Sequence, residues 1–348
     1  MKIIDQHTAC HLPSCVATIG FFDGVHKGHR FLIRQVQDIA AVQNLASMLI
    51  TFPVHPRQVM QSNYCPQLLS CPAQKLELLS GTGVDYCALL PFTHELSEYS
   101  AYRFMQLLHE TFHVKTLLIG YDHRFGHNRS EGFEDYCRYG KELGMEVLPA
   151  SAYTENGLSV SSSSIRKLLL EGNVSTAAQC LGYAYYIDGT VTGGFRVGRT
   201  IGFPTANIQP SCSEKLIPAH GVYAVTVSVK EKNYTGMLNI GNRPTLQNGN
   251  NTSIEVHILN FSEDIYQEKM RIFFHHYIRP EKKFNNLQEL TQQLETDKTT
   301  VLQLLTKKKL NSHETDAETH FILFPLSTGN TFVLYFYQYS HTAVLYLF

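Results

Sequence analysis

The chain predicts two unlike folds in tandem, an α/β unit followed by an all-β unit. Three observations carry that reading. Residues 1–182 alternate short apolar runs with helix-period patterns, which implies a mostly parallel sheet covered on both faces. Near Gly182 the pattern changes to short β segments separated by Gly-, Pro- and Asn-rich turns, as in an antiparallel barrel or sandwich. The length, 348 residues, suits two domains at about 150 residues each.

In the first unit, residues 15–22 read as a buried strand, and 28–43 follow as a helix with Leu32, Val36 and Ile39 at helical spacing. Further strands are expected at 46–52, 84–91, 116–120 and 146–150, with helices near 101–112 and 132–143. Ligands of such sheets bind at strand carboxyl ends, near a switch in strand order. The second unit offers strands at 185–191, 221–230, 234–240, 253–260 and 270–278. A last helix is expected near 286–305, with Leu287, Leu290, Leu294, Val301 and Leu305 on one broad face. The expected units are 1–182 and 183–310, followed by a tail at 311–348.

Composition narrows the function. The net charge of −1 argues against a general nucleic-acid coat, which needs a basic excess. Apolar residues make up 43 % of the chain, enough for a core. The eight cysteines contain no Cys-x-x-Cys pair, so neither a zinc ribbon nor a redox motif is indicated. The N-terminus lacks the apolar run of a signal peptide, and reduced thiols in the cytoplasm are the expectation. The stretch 321–348 has no charged side chain but nine Phe or Tyr. Its apolar run, 332–348, is borderline in length for a membrane span; aromatic β-like packing, a surface anchor and a coding irregularity all stay open.

Four segments of the first unit fall at expected strand ends. Gly20-Phe21-Phe22-Asp23-Gly24-Val25-His26-Lys27-Gly28-His29 places two histidines where a strand becomes a helix. Gly28 lets a phosphate approach the backbone, the helix N-terminus supplies free N–H groups, and each imidazole can donate to phosphate oxygens. A turn glycine between two surface histidines fits the same residues. Val160-Ser161-Ser162-Ser163-Ser164-Ile165-Arg166 combines a serine cap with a fixed cation suited to phosphate; a serine linker is the plain alternative. Thr51-Phe52-Pro53-Val54-His55-Pro56 adds a third histidine, and Gly120-Tyr121-Asp122-His123-Arg124-Phe125-Gly126-His127 ends another strand.

In the second unit, Gly193, Gly194, Gly198 and Gly202 fall within ten residues, as in a loop whose amides reach phosphates. Thr205 and Asn207 offer neutral oxygens on one face if extended, a set that suits Mg²⁺ completed by ATP phosphates and water. In Ser253-Ile254-Glu255-Val256-His257, Glu255 and His257 share the face opposite Ile254 and Val256. A carboxylate there can accept a hydroxyl proton; a solvent-facing Glu is the plain alternative.

Taken together these motifs resemble the bacterial bifunctional riboflavin kinase/FAD synthetase family. The first-unit motifs match its adenylyltransferase module. The stretch 198–207, Pro218 with Gly221-Val222-Tyr223, Asn239-Ile240-Gly241 with Arg243-Pro244-Thr245, Ser253–His257 and Ile278-Arg279 match its flavokinase module. The resemblance covers about residues 10–305. It implies a Rossmann-like nucleotidyltransferase sheet, then a Greek-key β-barrel with a C-terminal helix. It implies phosphorylation of riboflavin to FMN by ATP, then adenylyl transfer to FMN giving FAD and pyrophosphate, with Mg²⁺ held by Thr205 and Asn207. By the same resemblance His26, His29 and Arg166 are catalytic, and Gly20, Phe21, Asp23, Gly28, His55, Ser162 and Ser163 bind ATP phosphates. Gly198, Arg199 and Gly202 do so in the second unit, where Glu255 is the base. Asp122 and Arg279 are flavin-proximal; some members carry Asn at the position of Asp122. The rival readings are a transferase with one live module and a flavin-binding regulatory protein with degenerate sites. The expected partners are flavins and adenine nucleotides, with no nucleic acid and no set oligomeric state.

Overall fold

A computed structural model describes residues 1–5, 12–61, 63–120, 123–155, 158–193, 197–242, 252–311, 320–325, 332–338 and 341–345. In chain order the first unit runs β1 (Lys2–Ile4), β2 (Cys15–Ile19), α1 (Lys27–Gln43), β3 (Ala46–Thr51), α2 (Pro56–Met60), α3 (Pro72–Ser80), β4 (Tyr86–Leu89), α4 (His94–Ser97), α5 (Ala101–Phe112), β5 (Val114–Ile119), α6 (Phe133–Leu143) and β6 (Glu146–Pro149). A hairpin, β7 (Thr154–Glu155) and β8 (Leu158–Ser159), precedes α7 (Ser162–Leu170) and α8 (Val174–Leu181).

The first sheet is parallel with order β1-β4-β3-β2-β5-β6. Strand order reverses at β2, whose neighbours are β3 and β5, so the ligand crevice is expected at the end of β2. All five β2 residues are buried, as a sheet covered on both faces requires. Alternate residues feed opposite layers. Cys15, Ala17 and Ile19 pack with α5 and α6, while Val16 packs with Val36 and Ala40 of α1. α1 starts at His26, whose ring caps it, and ends at Asn44 in the left-handed conformation.

The second unit holds β9 (Tyr186–Thr192), α9 (Val197–Thr200), β10 (Ala206–Pro210), β11 (Gly221–Val229), β12 (Lys232–Asn242), β13 (Thr252–Ile258), β14 (Lys269–Arg279) and α10 (Leu287–Asn311). Its six strands close into an antiparallel barrel, β10-β13-β12-β11-β14-β9. β11, β12 and β13 form a meander, and β14 returns beside β11, which is Greek-key order. The expected fold class is therefore what the chain adopts. α7 and α8 share one buried cluster with the barrel, from Ile165 and Leu181 to Tyr223 and Phe274. β15 (His320–Pro325), β16 (Phe332–Gln338) and β17 (His341–Leu345) form a separate antiparallel sheet. Among the described residues no helix is long and apolar enough to cross a membrane.

Three sequence expectations are corrected. The five strands expected in the second unit are joined by a sixth, β10, which carries Asn207. Leu287 stands 56 % exposed, because it opens α10 before the helix reaches the barrel; Leu294, Val301 and Leu305 do pack. The serine segment does not leave the parallel sheet directly. It enters from the hairpin and forms the first turn of α7.

α10 is fastened by charge as well as packing. Asp297, 2 % exposed, accepts from Arg279 Nε at 3.0 Å and Nη2 at 2.8 Å. Losing one partner of such a buried pair strands the other. Asp297→Ala is therefore expected to cost about 3–5 kcal/mol of stability, read as a lower urea midpoint; an unchanged midpoint would show that packing alone seats α10.

Candidate active sites

The first site begins at the end of β2. The backbone of the turn is strained: Phe22 has φ 55° and Val25 φ 38°, and a β-branched residue at positive φ persists only where its surroundings over-determine it. They do so through Asp23. Its Oδ2 accepts from Leu69 N at 3.0 Å and from Arg166 Nη2 at 2.6 Å, and its Oδ1 accepts from Ser70 N at 2.9 Å. Ser162 Oγ donates to the Asp23 carbonyl at 3.0 Å. Gly28 has a packing reason: a Cβ there would meet the His26 ring at 3.2 Å and the Val160 carbonyl at 3.3 Å.

His29, His55, Ser162 and Arg166 share the wall of one cavity of about 320 Å³ with Gly20, Phe21 and Asp23. Three separate elements thus deliver phosphate-type donors to one place. Ser163 lines an adjoining cavity of about 390 Å³, which shares Phe21, His55, His123 and Arg166. That cavity is walled by Phe52, Tyr64, Phe92, Tyr99, Phe104 and Phe125, with Arg124 and Arg129 beside them. Asp122 lies outside the described residues.

The histidines are not equivalent. His26 is buried, and its Nδ1 accepts from His29 N at 3.3 Å, so a neutral His26 carries its proton on Nε2. His55 repeats the device at α2, where its Nδ1 accepts from Arg57 N at 3.1 Å. His26 does not line the cavity; it stacks beneath His29 with ring centroids 3.6 Å apart. Burial holds His26 down to about 4, with the Arg166 charge adding to it. Burial, then the neighbouring His26 and Lys75, hold His29 well below the ordinary histidine range. Two stacked imidazoles both stay neutral at pH 7 without an anion to face. His29 Nδ1 is a buried polar atom with no hydrogen-bond partner.

Sequence reasoning missed Lys75. Its Nζ donates to Phe52 O at 2.8 Å and Phe21 O at 3.2 Å, and lies 4.1 Å from the centre of the Phe21 ring. It ties the ends of β2 and β3 together at the crevice. Burial lowers its pKa to about 8. Its amphipathic helix α3 carries weak periodicity, and a lysine gives no sequence sign of being buried.

The second site lies at the barrel. Glu255 of β13 pairs in register with Asn207 of β10, and Thr205 Oγ1 lies 3.4 Å from Glu255 Oε2. Thr205 stands between two cavities. One, of about 500 Å³, includes Arg199, Pro204 and Glu263. The other, of about 320 Å³, includes Gly198, Glu255, His257 and Arg279 among apolar side chains from Phe203 to Leu294. A Cβ on Gly198 would overlap the Phe203 carbonyl, so the loop closes this tightly only with glycine. Buried Asn207 lines neither cavity, nor does Gly202, which has φ +80°. Arg279 lines this second cavity while its Nε and Nη2 donate to Asp297 of α10. His257 Nδ1 meets Pro204 O at 2.8 Å and braces the start of β10. Gly194, Arg196 and the Arg243–Thr245 motif lie outside the described residues. Among the described residues no group of three or more His, Cys, Asp or Glu could hold a metal.

Comparison with known proteins matches both units. A family model described as FAD synthetase matches residues 9–164, and one described as Riboflavin kinase matches residues 181–305. The bifunctional riboflavin kinase/FMN adenylyltransferase of Escherichia coli strain K12 is 36 % identical over 305 residues, covering 86 % of this chain and 96 % of that protein. The protein of the same name from Listeria monocytogenes is 38 % identical over 284 residues, covering 81 % of this chain and 90 % of that one. A crystal structure titled macrolide-efflux protein from Streptococcus pneumoniae superposes with a TM-score of 0.80 at 29 % identity, covering 86 % of this chain and 99 % of that one. Its title names another activity; the whole two-unit architecture is shared. With both family models matched in tandem and curated relatives aligned across both, this chain belongs to the bifunctional riboflavin kinase/FMN adenylyltransferase family, phosphorylating riboflavin to FMN with ATP and joining AMP from ATP to FMN to give FAD and pyrophosphate.

Proposed function

We propose that the two reactions divide between the sites as follows. At the end of β2, the triphosphate of ATP lies in the 320 Å³ cavity, against the amides at the start of α1 and the rings of His29 and His55. FMN occupies the aromatic cavity beside it, with its phosphate toward His55 and Arg166. A phosphate oxygen of FMN attacks the α-phosphorus while the bond to pyrophosphate breaks. His29, backed by His26, donates to the charge that develops; Arg166 and Ser162 hold the departing pyrophosphate, and Ser163 lies on the FMN side. Catalysis is positioning plus charge stabilisation, with no covalent intermediate. The observation that carries this reading is the meeting of His29, His55, Ser162 and Arg166 on one wall.

At the barrel, the 500 Å³ cavity with Arg199 takes ATP and the apolar one takes riboflavin. Glu255 accepts the proton of the 5′-hydroxyl as its oxygen attacks the γ-phosphorus and ADP leaves. Thr205 and Asn207 carry neutral hard oxygens beside the barrel cavities, so with ATP phosphates and water they would hold Mg²⁺, which would supply charge neutralisation at the phosphates. Both reactions draw on ATP, which supports a cytoplasmic location.

Glu255→Ala is expected to lower FMN formation by about 10²–10⁴-fold and to leave FMN-to-FAD conversion intact. His29→Ala is expected to lower FAD formation by about 10²–10³-fold and to spare the kinase. Chromatography of products from each substrate measures both; loss of both activities in either folded variant would contradict separate sites.

The neutral histidine stack makes a second prediction. The unfolded chain protonates His26 near pH 6.5 and the folded chain only near 4. Without ATP, stability is therefore complete above pH 6.5 and is lost as pH falls toward 4, by about 3 kcal/mol at 1.36 kcal/mol per pKa unit. A bound triphosphate favours the charged imidazoles, so ATP binding at pH 6.5 should take up protons. Calorimetry in buffers of different ionisation enthalpy reads that uptake, and no buffer dependence would show that the stack stays neutral.

A further inference from the structure

The phosphate turn of the first site is held partly by the barrel. Residues 68–70 run between α2 and α3, hydrogen-bonded on one side to Asp23 and on the other to the loop between β10 and β11. Leu68 N donates to Glu214 O at 2.7 Å, and Leu216 N donates to Leu68 O at 2.9 Å. Lys215 sits between them, 6 % exposed. Its Nζ donates to Leu69 O at 2.6 Å and to Gln74 Oε1 at 2.9 Å, and lies 4.4 Å from the centre of the Tyr185 ring. The next amides along that segment, Leu69 N and Ser70 N, are the ones that grip Asp23. Gly24 N in turn donates to Ser70 Oγ at 2.8 Å, and the Tyr183 hydroxyl donates to Gly24 O at 2.7 Å.

An ammonium is costly to bury unless it is hydrogen-bonded. This one spends its donors on Leu69 and Gln74, which belong to the other unit. We infer that Lys215 is a positioning residue for adenylyl transfer, fixing through Leu69 and Ser70 the Asp23 carboxylate that orients Arg166 and the phosphate turn. The inference rests on the reading of Arg166 given above. It assigns the barrel a part in the reaction it does not itself catalyse. Burial lowers the Lys215 pKa to about 8, which still leaves it charged at pH 7.

The test uses the full chain, with riboflavin phosphorylation and FMN-to-FAD conversion measured separately. Lys215→Met keeps the side-chain volume and removes the ammonium. The kcat for FAD formation is expected to fall by about 10²-fold, the effect of a small misplacement of reacting groups, with the KM for FMN and the kinase rate unchanged. FAD formation at the parental rate would overturn the inference. Should the methionine variant lose both activities, Lys215→Ala with and without added propylamine decides: restored FAD formation supports the inference, and failure to restore it overturns it. Arg166→Ala separates the levels. If it too forms FAD at the parental rate, the reading of the first site fails; if it alone loses FAD formation, only the role of Lys215 fails.

Discussion

A single buried carboxylate organises the first site. Asp23 is 3 % exposed and takes hydrogen bonds from two backbone amides, the Ser70 hydroxyl and the Arg166 guanidinium. Those donors come from the segment before α3 and from α7, far apart in sequence. A charge in such a place is tolerated only when its lone pairs are filled, and the filling fixes geometry. The strained turn at Phe22 and Val25, the approach of Ser162, and the direction of Arg166 all follow from it. Chemistry that works by placing donors around phosphates needs that rigidity more than it needs a reactive side chain.

The two sites solve phosphate chemistry differently. The first gathers a guanidinium, imidazoles and helix amides, and burial keeps its imidazoles neutral. The second sets the Glu255 carboxylate beside two neutral oxygens and a glycine loop closed against Phe203. The barrel then returns something to its neighbour. α7 and α8 share its core, Arg271 of β14 pairs with Glu77 of α3 at 2.7 Å as well as with Asp188, and Lys215 braces the cradle of Asp23. The units are joined through charge and packing at the element that carries the phosphate donors.

Much of this was legible from residues. Period and composition gave the parallel sheet and the β unit, since a strand buried on both faces and an alternating strand read differently. His29, His55, Ser162 and Arg166, singled out at segment ends in the sequence, meet on one cavity wall, and Thr205 and Glu255 lie 3.4 Å apart. What escaped depended on contacts between distant segments. Lys75 and Lys215 are buried lysines, which no local pattern announces. The aromatic cavity draws its walls from several loops. His26 lies behind His29, a matter of stacking, and the Arg279 guanidinium is paired with Asp297, 18 residues later on α10.

The central claim is that the Asp23 carboxylate places the groups that stabilise adenylyl transfer. Asp23→Asn preserves shape and removes the charge, and the single-turnover rate of FAD formation from bound ATP and FMN reads placement directly. That rate is expected to fall about 10²-fold, with riboflavin phosphorylation in the same protein unchanged. A single-turnover rate equal to the parent's would contradict it.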